Sequence, residues 1–173
     1  DGKITQEDQT MISDCGTAPR IQYGIGAYLR WKILDIGVFF TGSGMRTIYL
    51  SPMNPFGSDT GSEWGAGERS LAKWIDASRW TEVNPDPNAA YPRLGVNYVD
   101  VKNNLQVSSY WLRDGSFIRF KTLEVGVNLP YCRIYFSGDN LFVWSKFKLW
   151  DPELAWNSYP LQRTFNFGVQ FNF

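Results

Sequence analysis

From Thr164 to Phe173 the chain alternates without a break, Phe165, Phe167, Val169, Phe171 and Phe173 against Thr164, Asn166, Gly168, Gln170 and Asn172. Successive side chains of a β-strand point to opposite faces, so this run predicts a strand with one wholly apolar, mostly aromatic face and one polar face. Such a face has to be covered, by a second protein layer or by lipid. The same period recurs upstream. Between Ile21 and Lys32, one face carries Ile21, Tyr23, Ile25, Ala27, Leu29 and Trp31. The other carries Gln22, Gly24, Gly26, Tyr28, Arg30 and Lys32. After a tight connection at Lys32-Ile33, Leu34, Ile36, Val38 and Phe40 alternate with Asp35, Gly37, Phe39 and Thr41, which predicts a hairpin.

A further run spans Ser116 to Leu129, with Leu123, Val125, Val127 and Leu129 on one face. Ile118 and Phe120 stand on the opposite phase, and a bulge near Lys121-Thr122 would reconcile them. Pro130-Tyr131 makes a short turn, since proline cannot continue a paired strand. A run from Arg133 then sets Ile134 and Phe136 against Tyr135, Ser137 and Asp139. Two long polar connections, about 44–109 and 141–160, have the Gly, Pro, Asn, Asp and Ser content of loops. Within the first, Leu71, Trp74 and Ile75 lie at helical spacing between Glu68 and Trp80, which predicts a short amphipathic helix.

The runs of about 10 to 13 residues suit the ~9–11 tilted residues that cross a bilayer better than the ~5–6 of an ordinary soluble strand. Connections alternate between very short and very long, and the polar faces are rich in Gly, Asn, Thr and Gln. These features favour a membrane β-barrel with lipid outside and a wet lumen inside. A soluble sandwich burying its apolar faces between two sheets is the competing architecture. Five runs cannot close a barrel, because bacterial ones need at least ~8 strands. The chain, which starts at Asp1 with neither Met nor a signal sequence, is therefore expected to be a piece of a longer protein.

Composition removes several chemistries. The chain has no His, which excludes His-based triads and the usual zinc sites. Its 17 Lys and Arg balance 17 Asp and Glu, so no overall field points to nucleic acid. Two cysteines, Cys15 and Cys132, make no disulfide framework and should lie on opposite sides of a membrane. Asp114, Glu124, Asp139, Asp151 and Glu153 show no spacing that fixes a catalytic pair across a cleft, and they read as structural carboxylates. Asp1, Gly2, Lys3 and Asp8 fit the second half of an EF-hand-like loop, with Asp1 and Asp8 as carboxylate ligands and Lys3 as a carbonyl donor. Calcium is therefore a candidate cofactor, its remaining ligands lying before Asp1. Trp64, Trp74, Trp80, Trp111, Trp144, Trp150 and Trp156 fall in loops or at strand ends, where indoles serve an interfacial girdle, loop packing or sugar stacking.

Longer strings carry a specific likeness. DGSFIRFKTLEVGVNLP (114–130), RIYFSGDNLFVWSK (133–146), LWDPE (149–153) and YPLQRTFNFGVQFNF (159–173) resemble the C-terminal end of SusC/RagA-type TonB-dependent transporters of Bacteroidetes. DGKITQEDQ, WKILDIGVFFTGS, AAYPRLG and SSYWLRDGSF are similar to upstream segments of that family, in the same order. The Pro130-Tyr131-Cys132 connection is shorter than the family's pattern.

The resemblance implies an all-β fold: residues 1–173 would be the closing part of a barrel of about 22 strands, with the plug and N-terminal strands outside this chain. It implies no enzymatic chemistry. It implies import of glycans or peptides through the outer membrane, powered by a TonB complex and served by a SusD-like lipoprotein lid. The C-terminus would be periplasmic. Phe165, Phe167, Phe171 and the terminal Phe173 would then face lipid and resemble the signal read by the barrel-assembly machinery. A non-energised porin or adhesin barrel, and a soluble carbohydrate-binding β module, are the alternative classes.

Overall fold

The computed structural model describes residues 7, 9–50, 73–94, 104, 108–154 and 158–171. Seven strands are described: β1 (Ile21–Trp31), β2 (Leu34–Gly44), β3 (Thr47–Tyr49), β4 (Leu112–Asp114), β5 (Phe117–Asn128), β6 (Cys132–Ser145) and β7 (Thr164–Phe171). The chain divides into two compact units. One comprises residues 13–49 and 112–173 and holds every strand; the other comprises residues 1–12 and 50–111.

In the strand unit, five strands form an antiparallel sheet in the order β1-β2-β5-β6-β7, and β3 pairs with β4 in a short ribbon. The expected hairpin is present. β1 and β2 pair from Ile21↔Gly44 to Trp31↔Leu34, joined by a two-residue turn in which Lys32 takes a left-handed φ of 55°. β5 and β6 are joined across Pro130-Tyr131, where Leu129 N–H donates to the Cys132 carbonyl at 2.8 Å. Neither β3 nor β4 is anticipated by the sequence pattern, since three residues are too few to establish a period.

The bulge expected near Lys121 is confirmed. The pairing of β5 with both neighbours shifts between Phe120 and Thr122. Opposite it, β6 has two residues in place of one, Asn140 and Leu141, and Asn140 adopts a φ of 54°. By absorbing the phase change, the bulge puts Ile118 and Phe120 on the same face as Leu123, Val125 and Val127. It also lets β6 run on to Ser145, so the connection expected to begin near Leu141 begins later.

Cross-strand register gathers the alternating residues into rows. On one face, Leu29, Ile36, Val125, Phe136 and Phe167 stand side by side across the whole sheet. The neighbouring row runs Trp31, Leu34, Val127, Ile134 and Val169. Ile25, Leu29, Trp31, Phe142, Phe167 and Phe171 are all more than half exposed. The residues the sequence read as the apolar face therefore form one continuous uncovered surface, with no second sheet packed on it among the described residues.

The other unit contains the helix α1 (Lys73–Ser78), which lies within the Glu68–Trp80 span expected and ends two residues before that span does; positions 68–72 lie outside the described residues. An Arg79↔Tyr91 bridge ties its exit to a second segment, with Trp80 N–H donating to the Tyr91 carbonyl at 2.8 Å. Tyr91 and Leu50 are fully buried, and Trp111 lies edge-on to the Tyr91 ring at 6.2 Å.

Candidate functional site

The polar face of the sheet is the surface that carries chemistry, and alternation places its residues. Each apolar row has a polar row one residue along. Arg30, Asp35, Gly126, Tyr135 and Gly168 form one; Tyr28, Gly37, Glu124, Ser137 and Asn166 form the next. Two ion-pair clusters occupy this face, about 20 Å apart along β2 at ~3.3 Å per residue.

The first lies near the two short turns. Asp35 is 2% exposed, a costly position for a carboxylate unless it is paired and hydrogen-bonded. Arg133 supplies the pairing, with Nη2 2.5 Å from Asp35 Oδ2 and Nε 3.3 Å from Oδ1. The same Nη2 is 2.6 Å from Glu124 Oε1, so one guanidinium serves two carboxylates. Asn128 Nδ2 also donates to Asp35 Oδ1. Arg133 stacks over Tyr135 at 5.2 Å. Gly126 lies between the partners: a Cβ there would meet Arg133 Nη2 at 2.5 Å and Asp35 Oδ2 at 2.7 Å. Only glycine leaves the space in which the pair forms.

The second cluster lies at the opposite end of the sheet. Arg119, 2% exposed, donates from Nη2 to Asp151 Oδ1 at 2.5 Å and from Nε to Glu153 Oε2 at 2.8 Å. Those carboxylates belong to the connection that follows β6. Arg46 Nη1 donates to the Pro152 carbonyl and its Nε to the Thr17 carbonyl at 3.0 Å, so the connection is pinned onto the sheet at several points. Phe147 and Pro152 of this connection are buried, and Phe147 packs edge-on against Trp150 at 4.4 Å.

Every carboxylate weighed in the sequence as a catalytic candidate thus has a structural partner. Asp114 accepts the Ser116 N–H at 2.9 Å and lies 3.7 Å from Lys146 Nζ. The Ser116 hydroxyl, then its amide, holds the Asp114 carboxyl below the usual carboxylate range, with Lys146 adding to the effect. Asp139 Oδ1 accepts the Thr122 hydroxyl at 3.2 Å. The arrangement shapes and stiffens a polar wall and offers no free acid–base pair among these residues.

Of the residues singled out in the sequence, Phe165, Phe167 and Phe171 lie on the exposed apolar face, 57–73% exposed. Phe173 lies outside the described residues, as do Asp1, Lys3 and Asp8 of the candidate calcium loop. Cys15 and Cys132 are free thiols. Trp144 joins the exposed apolar face, and Trp111 is buried within its own unit. Trp64, Trp156 and the Trp74 side chain lie outside the described residues. The two ion-pair clusters carried no sequence signal, because the first joins residues of three strands and the second joins β5 to a connection more than thirty residues further along the chain.

No protein-family model matches the chain. Two TonB-dependent receptors of Formosa agariphila are similar to it along its length. Receptor P26 is 28% identical over 100% of this chain and 19% of its own length; receptor P3 is 29% identical over 99% and 18%. The chain thus spans about a fifth of these relatives. Among solved structures, the RagAB peptide importer in its open-open state superposes on 92% of the chain and 18% of its own, with a TM-score of 0.63 and 24% identity. The RagAB peptide transporter covers 91% of the chain, at 0.64 and 23%. The fold is that of a wall segment of a TonB-dependent barrel, and the resemblance read from the sequence strings holds over the whole chain.

Proposed function

We propose that this chain is part of the wall of an outer-membrane barrel that imports glycans or peptides, energised by a TonB complex and served by a SusD-like surface lipoprotein. One observation carries the reading. A single sheet exposes an unbroken apolar face while its other face buries ion pairs, the two-faced construction a strand needs between lipid and a wet lumen. The similarity to TonB-dependent receptors supports energised import over a passive pore.

In this reading the turns at Lys32-Ile33 and Pro130-Tyr131 are periplasmic, and residues 44–109 and 146–163 face the outside. Uptake of oligosaccharides and oligopeptides by whole cells, measured with and without TonB, tests the function. Uptake lost with TonB, while surface binding persists, is expected. Uptake indifferent to TonB would make the protein a passive porin. A label at Asn84, which is exposed, should react on intact cells; reaction only after the outer membrane is broken would invert the orientation.

A further inference from the structure

Thr164, which pairs with Asp139, opens β7 on the polar face, so Arg163 just before it falls in phase with Phe165 and Phe167 on the apolar face. A charge there stands among apolar neighbours. Its guanidinium lies over the Phe142 ring at 5.4 Å. Phe142 is 59% exposed and stacks at 5.9 Å on Trp144, which is 52% exposed. The Phe142 row runs through Ile25, Phe40 and Phe120, and the next row through Tyr23, Ile118 and Trp144. The backbone before Arg163 is tied down, since Asn140 Nδ2 donates to the Gln162 carbonyl at 3.0 Å. By leaning over β6, Arg163 turns away from the open edge of β7. It is exposed, and no carboxylate pairs with it among the described residues.

We infer that Arg163, with the Phe142 and Trp144 rings beside it, is a binding site for the phosphate group of an outer-leaflet lipid. The site depends on the membrane reading of the sheet, with Trp144 at its outer margin. Two residues separate Phe142 from Trp144, which puts the guanidinium about 5 Å inside that margin at ~3.3 Å per residue and a ~40° tilt. A charge on the lipid face is penalised more the deeper it lies. The aromatic contact offsets part of that, and the long stem lets the head rise toward the headgroups. Neither supplies a counter-charge. A phosphate does: the planar fork of the guanidinium matches two phosphate oxygens through charge-assisted hydrogen bonds. The acyl chains of the same lipid would cover the exposed Phe142, Trp144 and Phe165 rings. The outer leaflet of a bacterial outer membrane is built of phosphorylated glycolipid, so such groups lie at the height this site needs. A free phosphate ion would leave the rings bare, and a protein partner would need about 800 Å² of matching surface.

The test uses the whole barrel inserted in phosphatidylcholine vesicles and offered bisphosphorylated lipid A, the same lipid after phosphatase treatment, or inorganic phosphate. Retained lipid is counted by native mass spectrometry, at equal amounts of inserted barrel. Wild type should retain the phosphorylated lipid about tenfold better than the dephosphorylated one, the worth of a hydrogen-bonded charge pair. Arg163→Gln should remove that preference, and Arg163→Lys, which keeps the charge and loses the fork, should keep part of it. Lys148→Gln removes an equal charge from the exposed connection and should behave as wild type. Retention indifferent to Arg163→Gln would overturn the site, as would equal retention of the two lipids by wild type. Displacement of lipid A by inorganic phosphate would make this a free-anion site and overturn the lipid assignment. A loss in Lys148→Gln equal to that in Arg163→Gln would reduce the effect to net charge and overturn it too. Insertion itself reports on the membrane reading: a barrel that inserts without phosphate preference sinks the lipid site alone, and one that fails to insert sinks both.

Discussion

Asp35 shows what a single residue commits a strand to. A carboxylate buried at 2% exposure is tolerable because Arg133, Asn128 and the notch at Gly126 all converge on it. Removing Arg133 leaves Asp35 charged and unpaired. The penalty should be about 2–3 kcal/mol, below the ~3–5 of a fully enclosed pair, because Arg133 remains one-fifth exposed. Urea unfolding of Arg133→Met in the assembled barrel should show that loss, and adding Asp35→Asn should return much of it. If the double variant is no more stable than the single one, the burial argument fails. Asp114 gives a pH prediction outside the sheet's spanning rows. Its carboxyl titrates lower in the fold than in the free chain, so its contribution is present above the unfolded pKa of ~4 and is lost as pH falls through the lower folded value. Protection of the Gly115 amide, which bonds the Arg46 carbonyl at 2.9 Å, should therefore drop on acidification below about pH 4. In Asp114→Asn the drop should be absent. An identical pH profile in that variant would assign the loss to another group.

At the scale of elements, the alternating runs were legible because period two is a local signal that needs no knowledge of the partner strand. β1, β2 and β7, both tight turns and the Lys121 bulge follow from it. What the pattern could not show is register. Asp35, Glu124 and Arg133 meet because β5 returns to lie between β2 and β6, after a connection of more than sixty residues. Nothing near Asp35 in the chain announces that. The long connections hid most: β3 and β4 are too short to declare a period, and the buried Tyr91 and Trp111 rings meet from well-separated positions. The faces themselves are testable strand by strand. In a background carrying Cys15→Ser and Cys132→Ser, single cysteines replacing Tyr28, Ser137 or Asn166 should react with a water-borne maleimide in a barrel with an open lumen. Cysteines replacing Leu29, Phe136 or Phe167 should be protected by lipid until detergent is added. Equal labelling of Asn166→Cys and Phe167→Cys would contradict the two-faced assignment.

For the whole molecule, the apolar face has the height and edges of a membrane band. Tyr23 and Trp144 share the row at one margin, and Trp31 stands at the other, eight residues further along β1. At ~3.3 Å per residue that separation is about 26 Å along the strand, or about 20 Å along the membrane normal at a ~40° tilt, close to the ~25 Å apolar band of such barrels. Aromatic margins at both edges are what interfacial girdles require. The row Leu29, Ile36, Val125, Phe136 and Phe167 lies inside those margins, while Cys132 and Phe171 lie beyond the Trp31 row. A buried charge should therefore be penalised by depth. Arg in place of Phe136, one row inside the Trp31 margin, should cost about 1–2 kcal/mol and Arg in place of Phe171 about 0–1, set against the ~2–4 of the bilayer midplane. Refolding into lipid vesicles, followed by denaturant titration, measures both. A soluble protein whose apolar face met another subunit would show no such gradient, because its cost would follow the partner's contacts and not the distance from a midplane. The same pair separates lipid placement from assembly signalling. If the aromatics near the end of β7 are read by the assembly machinery, Phe171→Arg should lower the amount of barrel in cells despite its small cost in vesicles, and Phe136→Arg should lower both. Normal cellular amounts of Phe171→Arg would leave that residue with a girdle role alone.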